Sequence, residues 1–226
     1  MKILLLEDDF TLSKEIVSFF DSKSFQCYPF YDGSLLVKKY KPNDYDLIIL
    51  DINVPGKNGI EVCKAIRELD KKTPIIMLTA FSEIEDKLTS FEFGADDYLV
   101  KPYSIEELIL KIEIFLNRSQ KSTDKPALKN YTFGSFHFEP ENYLLKNDTQ
   151  KITLTEREAS LLQLFLDNPN TVLKREKILI ALWGSDDYFL GRSLDVFISR
   201  LRKIIKEETH VRIENIPRVG FKLVVE

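Results

Sequence analysis

The chain predicts an α/β fold, a doubly wound five-stranded parallel sheet, followed by an α+β unit. Three observations carry this. In the first half, short continuous apolar runs alternate with segments of helical periodicity. Four of those runs end on chemically distinctive residues: Glu7-Asp8-Asp9, Asp51, Thr79 and Lys101. Past a polar, aperiodic stretch, the pattern changes to short strands, helices and a closing hairpin.

Taken in order, residues 3–6 predict a strand, and Leu12, Ile16, Phe19 and Phe20 then repeat at helical spacing. Strands follow at 25–29, 46–50, 74–78 and 97–100, with helices at 32–40, 60–69, 83–93 and 104–116. Ile60, Cys63, Ile66 and Leu69 share one helix face, and Ser104 with Glu107 has capping-box spacing. The run from Asn117 to Pro126 reads as a linker. The predicted division is one domain over 1–117, a linker over 118–130 and a second domain over 131–226. In the latter, 131–153 predicts short antiparallel strands with turns near 140–142 and 146–148. A helix capped by Thr155 carries Leu161, Leu162, Phe165 and Leu166 on its apolar face. A second helix lies within 171–183, a third at 192–205, and a hairpin closes the chain over 211–224.

The 226 residues carry a net charge of −4, distributed unevenly. Residues 1–120 hold 15 basic and 21 acidic side chains, and residues 121–226 hold 17 and 15. Within 192–222 eight basic residues face four acidic ones, so a polyanion is expected to bind there. No apolar stretch approaches the ~20 residues that span a bilayer, and with a strand-like run starting at once, no signal segment is expected. With Cys27 and Cys63 read as reduced thiols inside elements, a cytoplasmic location and no membrane partner are expected.

In a parallel sheet the distinctive strand-end residues converge at one edge, where such folds bind ligands. A carboxylate at the end of a buried strand is costly unless the site uses it. Mg²⁺ prefers oxygen ligands, and acids from two strands provide them. Asp51 can act as nucleophile toward a phosphoryl group, Thr79 can donate to a phosphoryl oxygen, and Lys101 can pair with it. The plain alternative is a structural ion pair of Lys101 with Asp51.

The segments Leu6-Glu7-Asp8-Asp9, Asp51-Ile52-Asn53-Val54-Pro55-Gly56, Thr79-Ala80, Gly94-Ala95-Asp96-Asp97-Tyr98 and Lys101-Pro102 resemble the receiver domain of bacterial two-component response regulators, a flavodoxin-like fold. The resemblance implies phosphorylation of Asp51 by a sensor histidine kinase, with Mg²⁺ held by Asp8 and Asp51, by Glu7 through water, and by the Asn53 carbonyl. It makes Thr79 the signalling hydroxyl, Tyr98 the switch aromatic and Asp9 a bystander. Lys87, Asp96, Asp97, Glu107, Lys111 and Arg118 would form a dimer face. Lys87 would pair with Glu107 and Asp97 with Lys111 across a two-fold axis. Lys111 stands where arginine is usual and lacks its bidentate fork. Phe81, two residues past Thr79, is expected to slow hydrolysis by restricting water.

In 192–205, Leu194, Ile198, Leu201 and Ile205 should face a core, leaving Val196, Ser199, Arg200 and Lys203 outward, with Arg192 and Arg202 flanking. Such a face suits a DNA major groove. Residues 154–226 resemble the winged helix-turn-helix domain of the OmpR/PhoB family, which implies binding to promoter direct repeats in double-stranded DNA. The wing then includes Arg212, Arg218 and Lys222, with Pro217 at the place usual for the wing arginine. Phe197 stands where histidine is frequent. The predicted loop from Trp183 to Gly191 is a candidate contact for RNA polymerase. His137 and His210 are isolated, so no zinc site is expected.

The combined reading is a phosphorylation-controlled transcription regulator and not an enzyme. The first alternative is a regulator of the same family that binds DNA without phosphorylation. A basic protein-binding module is the alternative for the second domain. Haloacid-dehalogenase-like phosphatases also form an aspartyl phosphate, but they need a general acid two residues on. Asn53 occupies that place and cannot donate the proton.

Overall fold

The computed structural model describes residues 1–80, 93–120, 129–184, 186 and 188–226, with the side chains of 116–120, 188–190 and 192 outside that description. The chain divides into two compact units, Met1–Phe115 and Leu116–Glu226.

The first unit runs β1 (Lys2–Leu6), α1 (Phe10–Ser22), β2 (Gln26–Phe30), α2 (Gly33–Lys39), β3 (Leu47–Asp51), α3 (Gly59–Leu69), β4 (Ile75–Ala80) and β5 (Asp97–Lys101). Helix α4 (Ile105–Gln120) follows and continues past the unit's edge. All five strands pair in parallel, in the order β2-β1-β3-β4-β5. The predicted parallel sheet is therefore observed. Strands β1, β3 and β4 are buried almost throughout, which is why they read as unbroken apolar runs rather than alternating ones. The edge strand β2 is largely exposed and tolerates Pro29. Chain order reverses between β1 and β3, so the connections leaving their C-terminal ends diverge and open a crevice.

The helix predicted at 83–93 falls almost wholly on 81–92, outside the described residues. Helix α4 runs through Gln120, so the linker start predicted at 118 lies inside a helix. Asn117, Arg118, Ser119 and Gln120 lack apolar periodicity, but none of them stops a helix as Gly or Pro does.

The second unit opens with an antiparallel sheet, β6 (Tyr131–Phe133), β7 (Phe136–Glu139), β8 (Leu144–Lys146) and β9 (Lys151–Thr153), with a 3-10 turn at Pro140–Asn142. Then come α5 (Glu156–Leu166), β10 (Val172–Lys174), α6 (Arg175–Trp183), α7 (Tyr188–Ile204), β11 (Val211–Ile216) and β12 (Gly220–Val225). Thr155 and Glu158 form a reciprocal capping box at the start of α5. Strands β10, β12 and β11 make a second antiparallel sheet. The helix expected within 171–183 occupies Arg175–Trp183, and the residues before it, Val172–Lys174, pair with β12. Gly220 permits that approach, because a Cβ there would collide with the Leu173 carbonyl. Helix α7 begins at Tyr188, so Gly191, expected in a loop, is helical. The core gathers Leu161, Leu162, Phe165, Leu194, Ile198 and Leu201 around Trp183 and Phe197, whose ring centroids lie 5.7 Å apart.

Candidate functional site

Adjacent strands deliver the acids. Leu6 pairs in register with Leu50, so Glu7 and Asp51 emerge side by side from β1 and β3. The chain after β3 folds back tightly: the Gly59 amide donates to the Ile52 carbonyl at 2.9 Å. A Cβ at Gly59 would strike the Asp51 carbonyl, so glycine lets α3 start against the tip of β3. Lys101 closes β5 and reaches both acids, donating to Asp51 Oδ2 at 2.6 Å and Glu7 Oε2 at 2.7 Å. Asp51 Oδ1 accepts from the Asn53 amide at 3.3 Å. Thr79 is buried at the end of β4, between the strands that carry Asp51 and Lys101. Asn53 is exposed beside the site.

Carboxylate oxygens of Glu7, Asp8 and Asp51 lie within 4.8 Å of one another. The Asp9 side chain turns to α1, which it caps by accepting from the Thr11 and Leu12 amides, while its amide donates to Glu7 Oε1 at 3.3 Å. Burial holds the Glu7 carboxyl above the ordinary carboxylate range, with Asp51 adding and the Lys101 hydrogen bond opposing. Burial alone would lower the Lys101 ammonium, but its bonds to Asp51 and Glu7 outweigh that and raise it. Three carboxylates face one ammonium. An oxygen-rich cluster with surplus negative charge fits a hard divalent cation.

In the second unit, the buried positions of α7 follow the periodicity: Leu194, Ile198, Leu201 and the following Ile205 all face the core. Ser199, Arg202 and Lys203 are exposed and Val196 is half-buried. Arg200 turns back to Glu158 of α5, with Nε 2.9 Å from Oε1. Arg202 donates through Nε and Nη2 to the Ile213 carbonyl at 3.0 and 2.8 Å, tying α7 to β11. Arg218 sits exposed at the hairpin tip between β11 and β12, with φ at +62°. Phe197 is fully buried beneath the helix, so it is a core residue and not a surface contact. The side chain of Arg192 lies outside the described residues.

A family model described as "Response regulator receiver domain" matches residues 3–113, and one described as "Transcriptional regulatory protein, C terminal" matches residues 149–223. The transcriptional regulatory protein RprY of Bacteroides fragilis is 36% identical over 224 residues, covering 99% of this chain and 94% of its own. This chain belongs to the OmpR/PhoB-type response regulators. The transcriptional regulatory protein CiaR of Streptococcus pneumoniae is 34% identical, with 99% and 98% covered. The solved response regulator DrrB of Thermotoga maritima, an OmpR/PhoB homologue, is 28% identical, with a TM-score of 0.52 and 99% and 98% covered. Among the described residues no helix is long and apolar enough to cross a membrane.

In this response regulator the charged face differs from its sequence-based picture. Asp96 was expected on the dimer surface; it is fully buried, and Arg67 Nη2 lies 2.6 Å from its Oδ2. Asp96 also accepts from the Ile75 amide at 2.9 Å, so it fastens the start of β4 from within. Asp97, likewise buried, pairs with Lys111 of the same chain at 3.0 Å. The Lys111 Nζ stands 5.8 Å from the Tyr98 ring centroid, and Tyr98 is buried. Glu107 is exposed in the first turn of α4, its amide capped by Ser104 Oγ at 3.2 Å. Lys87 and Phe81, and the side chain of Arg118, lie outside the described residues. One residue escaped the sequence reading. Tyr103, two past Lys101, has a buried hydroxyl, and burial first, then the charges of Glu7 and Asp51, push its phenol up.

Proposed function

We propose that Asp51 is the phosphoacceptor of this regulator and that its phosphorylation controls DNA binding by the second domain. The observation that carries the reading is Lys101, which holds Asp51 and Glu7 together at hydrogen-bond distance beside Asp8. A carboxylate so placed can attack phosphorus, while Thr79 and Lys101 supply a hydroxyl and an ammonium for the arriving oxygens. Asp8 and Asp51, Glu7 through water, and the Asn53 carbonyl would hold Mg²⁺. When bound, the cation offsets the charge that gathers as the phosphoryl group arrives. Asn53 provides no general acid where a phosphatase needs one, which favours a switch over a turnover enzyme.

Domains over 1–117 and 131–226 divide the work in this reading. A sensor histidine kinase supplies the phosphoryl group. Tyr98 and the Asp97–Lys111 pair reorganise, and two receivers associate. Lys87, Glu107 and Arg118 remain candidates for that contact, while Asp96 leaves the set. Val196, Ser199, Lys203 and Arg192 offer the groove-facing surface of α7, and Arg218 the wing. Arg200 and Arg202 act mainly by fixing α7 to its own domain. The turn after Trp183 is the candidate RNA polymerase contact, and the cytoplasm is the expected site of action.

The test incubates the protein with a small acyl-phosphate donor and Mg²⁺, following intact mass and affinity for duplex DNA. Wild type should take up one phosphoryl group and bind DNA more tightly; Asp51→Asn should do neither. No uptake, or equal affinity in both, turns the reading to a regulator that acts without phosphorylation.

A further inference from the structure

Helix α7 carries an acid on the side it would turn to DNA. Asp195 is exposed one turn before Ser199 on the same stripe. A carboxylate there repels phosphates, so on charge alone the position disfavours binding. Its partner is Arg175, the first residue of α6. The guanidinium meets the carboxylate as a fork, Nη1 donating to Oδ1 at 2.8 Å and Nη2 to Oδ2 at 2.9 Å. Nη2 also donates to the Gly191 carbonyl, a turn earlier on α7. The two side chains are 35% and 56% exposed, so the pair adds little to folding stability. Its effect is on geometry.

Arg175 stands where three elements meet. Its amide donates to the Val219 carbonyl at 3.1 Å, in the turn between β11 and β12. Its guanidinium carbon lies 5.2 Å from the ring centroid of Phe221 on β12. The side chain thus joins the N-terminal part of α7 to the hairpin. Arg202 joins the C-terminal half of α7 to the same hairpin through the Ile213 carbonyl. Two anchors, one toward each end, fix how α7 is rotated against the hairpin tip that carries Arg218. Reading DNA needs both surfaces at once, α7 in the groove and the tip at the neighbouring backbone. A preset spacing spares the ordering that binding would otherwise cost. We propose that Arg175 is a positioning residue for sequence-specific DNA binding, acting through Asp195 to hold α7 in register with the hairpin tip. The inference rests on α7 facing the groove.

The test uses unmodified full-length protein as wild type, Asp195→Asn, Arg175→Lys and the double variant. The first substitution removes the charge and the second keeps it, and each breaks the fork. Anisotropy at fixed salt measures affinity for a duplex that wild type selects from a random pool, and for a scrambled duplex of the same length. Both single variants should bind the selected duplex about fivefold to tenfold more weakly, the size of a lost charged hydrogen bond. The double variant should be no weaker than either single one, because all three lose the same fork. On the scrambled duplex Arg175→Lys should match wild type, and Asp195→Asn should bind equally or more tightly. Tighter binding of Asp195→Asn to both duplexes makes Asp195 a repelling charge only and overturns the proposal. Equal weakening of Arg175→Lys on both duplexes makes Arg175 a phosphate contact and overturns it too, as does a melting temperature lowered by about 4 °C or more in Asp195→Asn. A wild type that binds the selected and scrambled duplexes alike overturns groove reading by α7 itself, whereas variants that keep wild-type affinity for the selected duplex overturn this inference alone.

Discussion

Asp70 shows how single contacts set a charge in the first unit. Its Oδ2 accepts from the Tyr40 hydroxyl at 2.8 Å and the Thr73 hydroxyl at 2.6 Å. Its Oδ1 accepts from the Lys72 and Thr73 amides at 2.8 and 3.0 Å. Burial alone would raise this carboxyl, but the hydrogen bonds prevail and bring it from 3.8 to about 2. The folded value lies below the unfolded one, so its stabilising contribution is present above the unfolded value and is lost as pH falls from 3.8 toward about 2. Asp70→Ala should therefore cost about 2–4 kcal/mol at neutral pH, since it strands the Tyr40 hydroxyl and leaves the Thr73 hydroxyl only the Tyr45 carbonyl at 3.4 Å. It should also flatten the acid slope of the melting temperature in that window. Thermal melts of both proteins across acid pH check this; an unchanged slope refutes the assignment. At this scale the strand-end groups were legible, because run length alone places Glu7, Asp51, Thr79 and Lys101 at one edge. Asp96 was not. Linear charge pattern cannot separate a solvated acid from one whose partner, Arg67, comes from helix α3, 29 residues earlier in the chain.

Helix α7 illustrates the same limit for a whole element. Periodicity correctly assigns its buried stripe, but says nothing about arginines long enough to reach back across a neighbour. Arg200 lies outward by spacing yet bonds Glu158, whose side chain is 5% exposed and also completes the Thr155 cap. Arg200→Ala should thus lower the melting temperature of the second unit and weaken DNA binding indirectly, because a buried carboxylate loses its cation. Lys203 is exposed in the last turn of the helix. Lys203→Ala should change stability by no more than about 0.5 kcal/mol and so barely move the melting temperature. It should also reduce the slope of log affinity against log salt by about 1. Melting curves and anisotropy titrations over a salt series separate the two. A normal melt for Arg200→Ala with the same slope change would return Arg200 to the direct contacts. Phe197→Ala should cost about 3–5 kcal/mol, as loss of a fully buried ring against Trp183 does. The short strand β10 escaped sequence reading for a different reason. Three residues carry too little pattern, and its partner Gly220 lies 46 residues beyond Lys174.

Across the whole molecule, the proposed function depends on a tether between two unlike units. Residues 1–120 carry 15 basic against 21 acidic side chains, whereas residues 121–226 carry 17 against 15, so the proposed function assigns polyanion binding to one unit and the switch to the other. The alternation of elements and the change of pattern near 117–126 made this two-part plan legible, while pairing between copies is a property of surfaces that no linear pattern encodes. If phosphorylation works by pairing receivers, it need not alter the DNA-binding surface at all. Pairing makes the second half-site contact intramolecular, and the gain comes from effective concentration. The consequence is specific. Phosphorylated protein should bind a duplex with two direct-repeat half-sites about tenfold or more tightly than unmodified protein. On a duplex with one half-site the two forms should bind equally. Inserting half a helical turn between the repeats should abolish most of the gain, because the tethered domains then meet opposite faces of the DNA. A comparable gain on the single half-site would mean instead that phosphorylation changes the winged domain itself, by releasing a surface that the receiver covers.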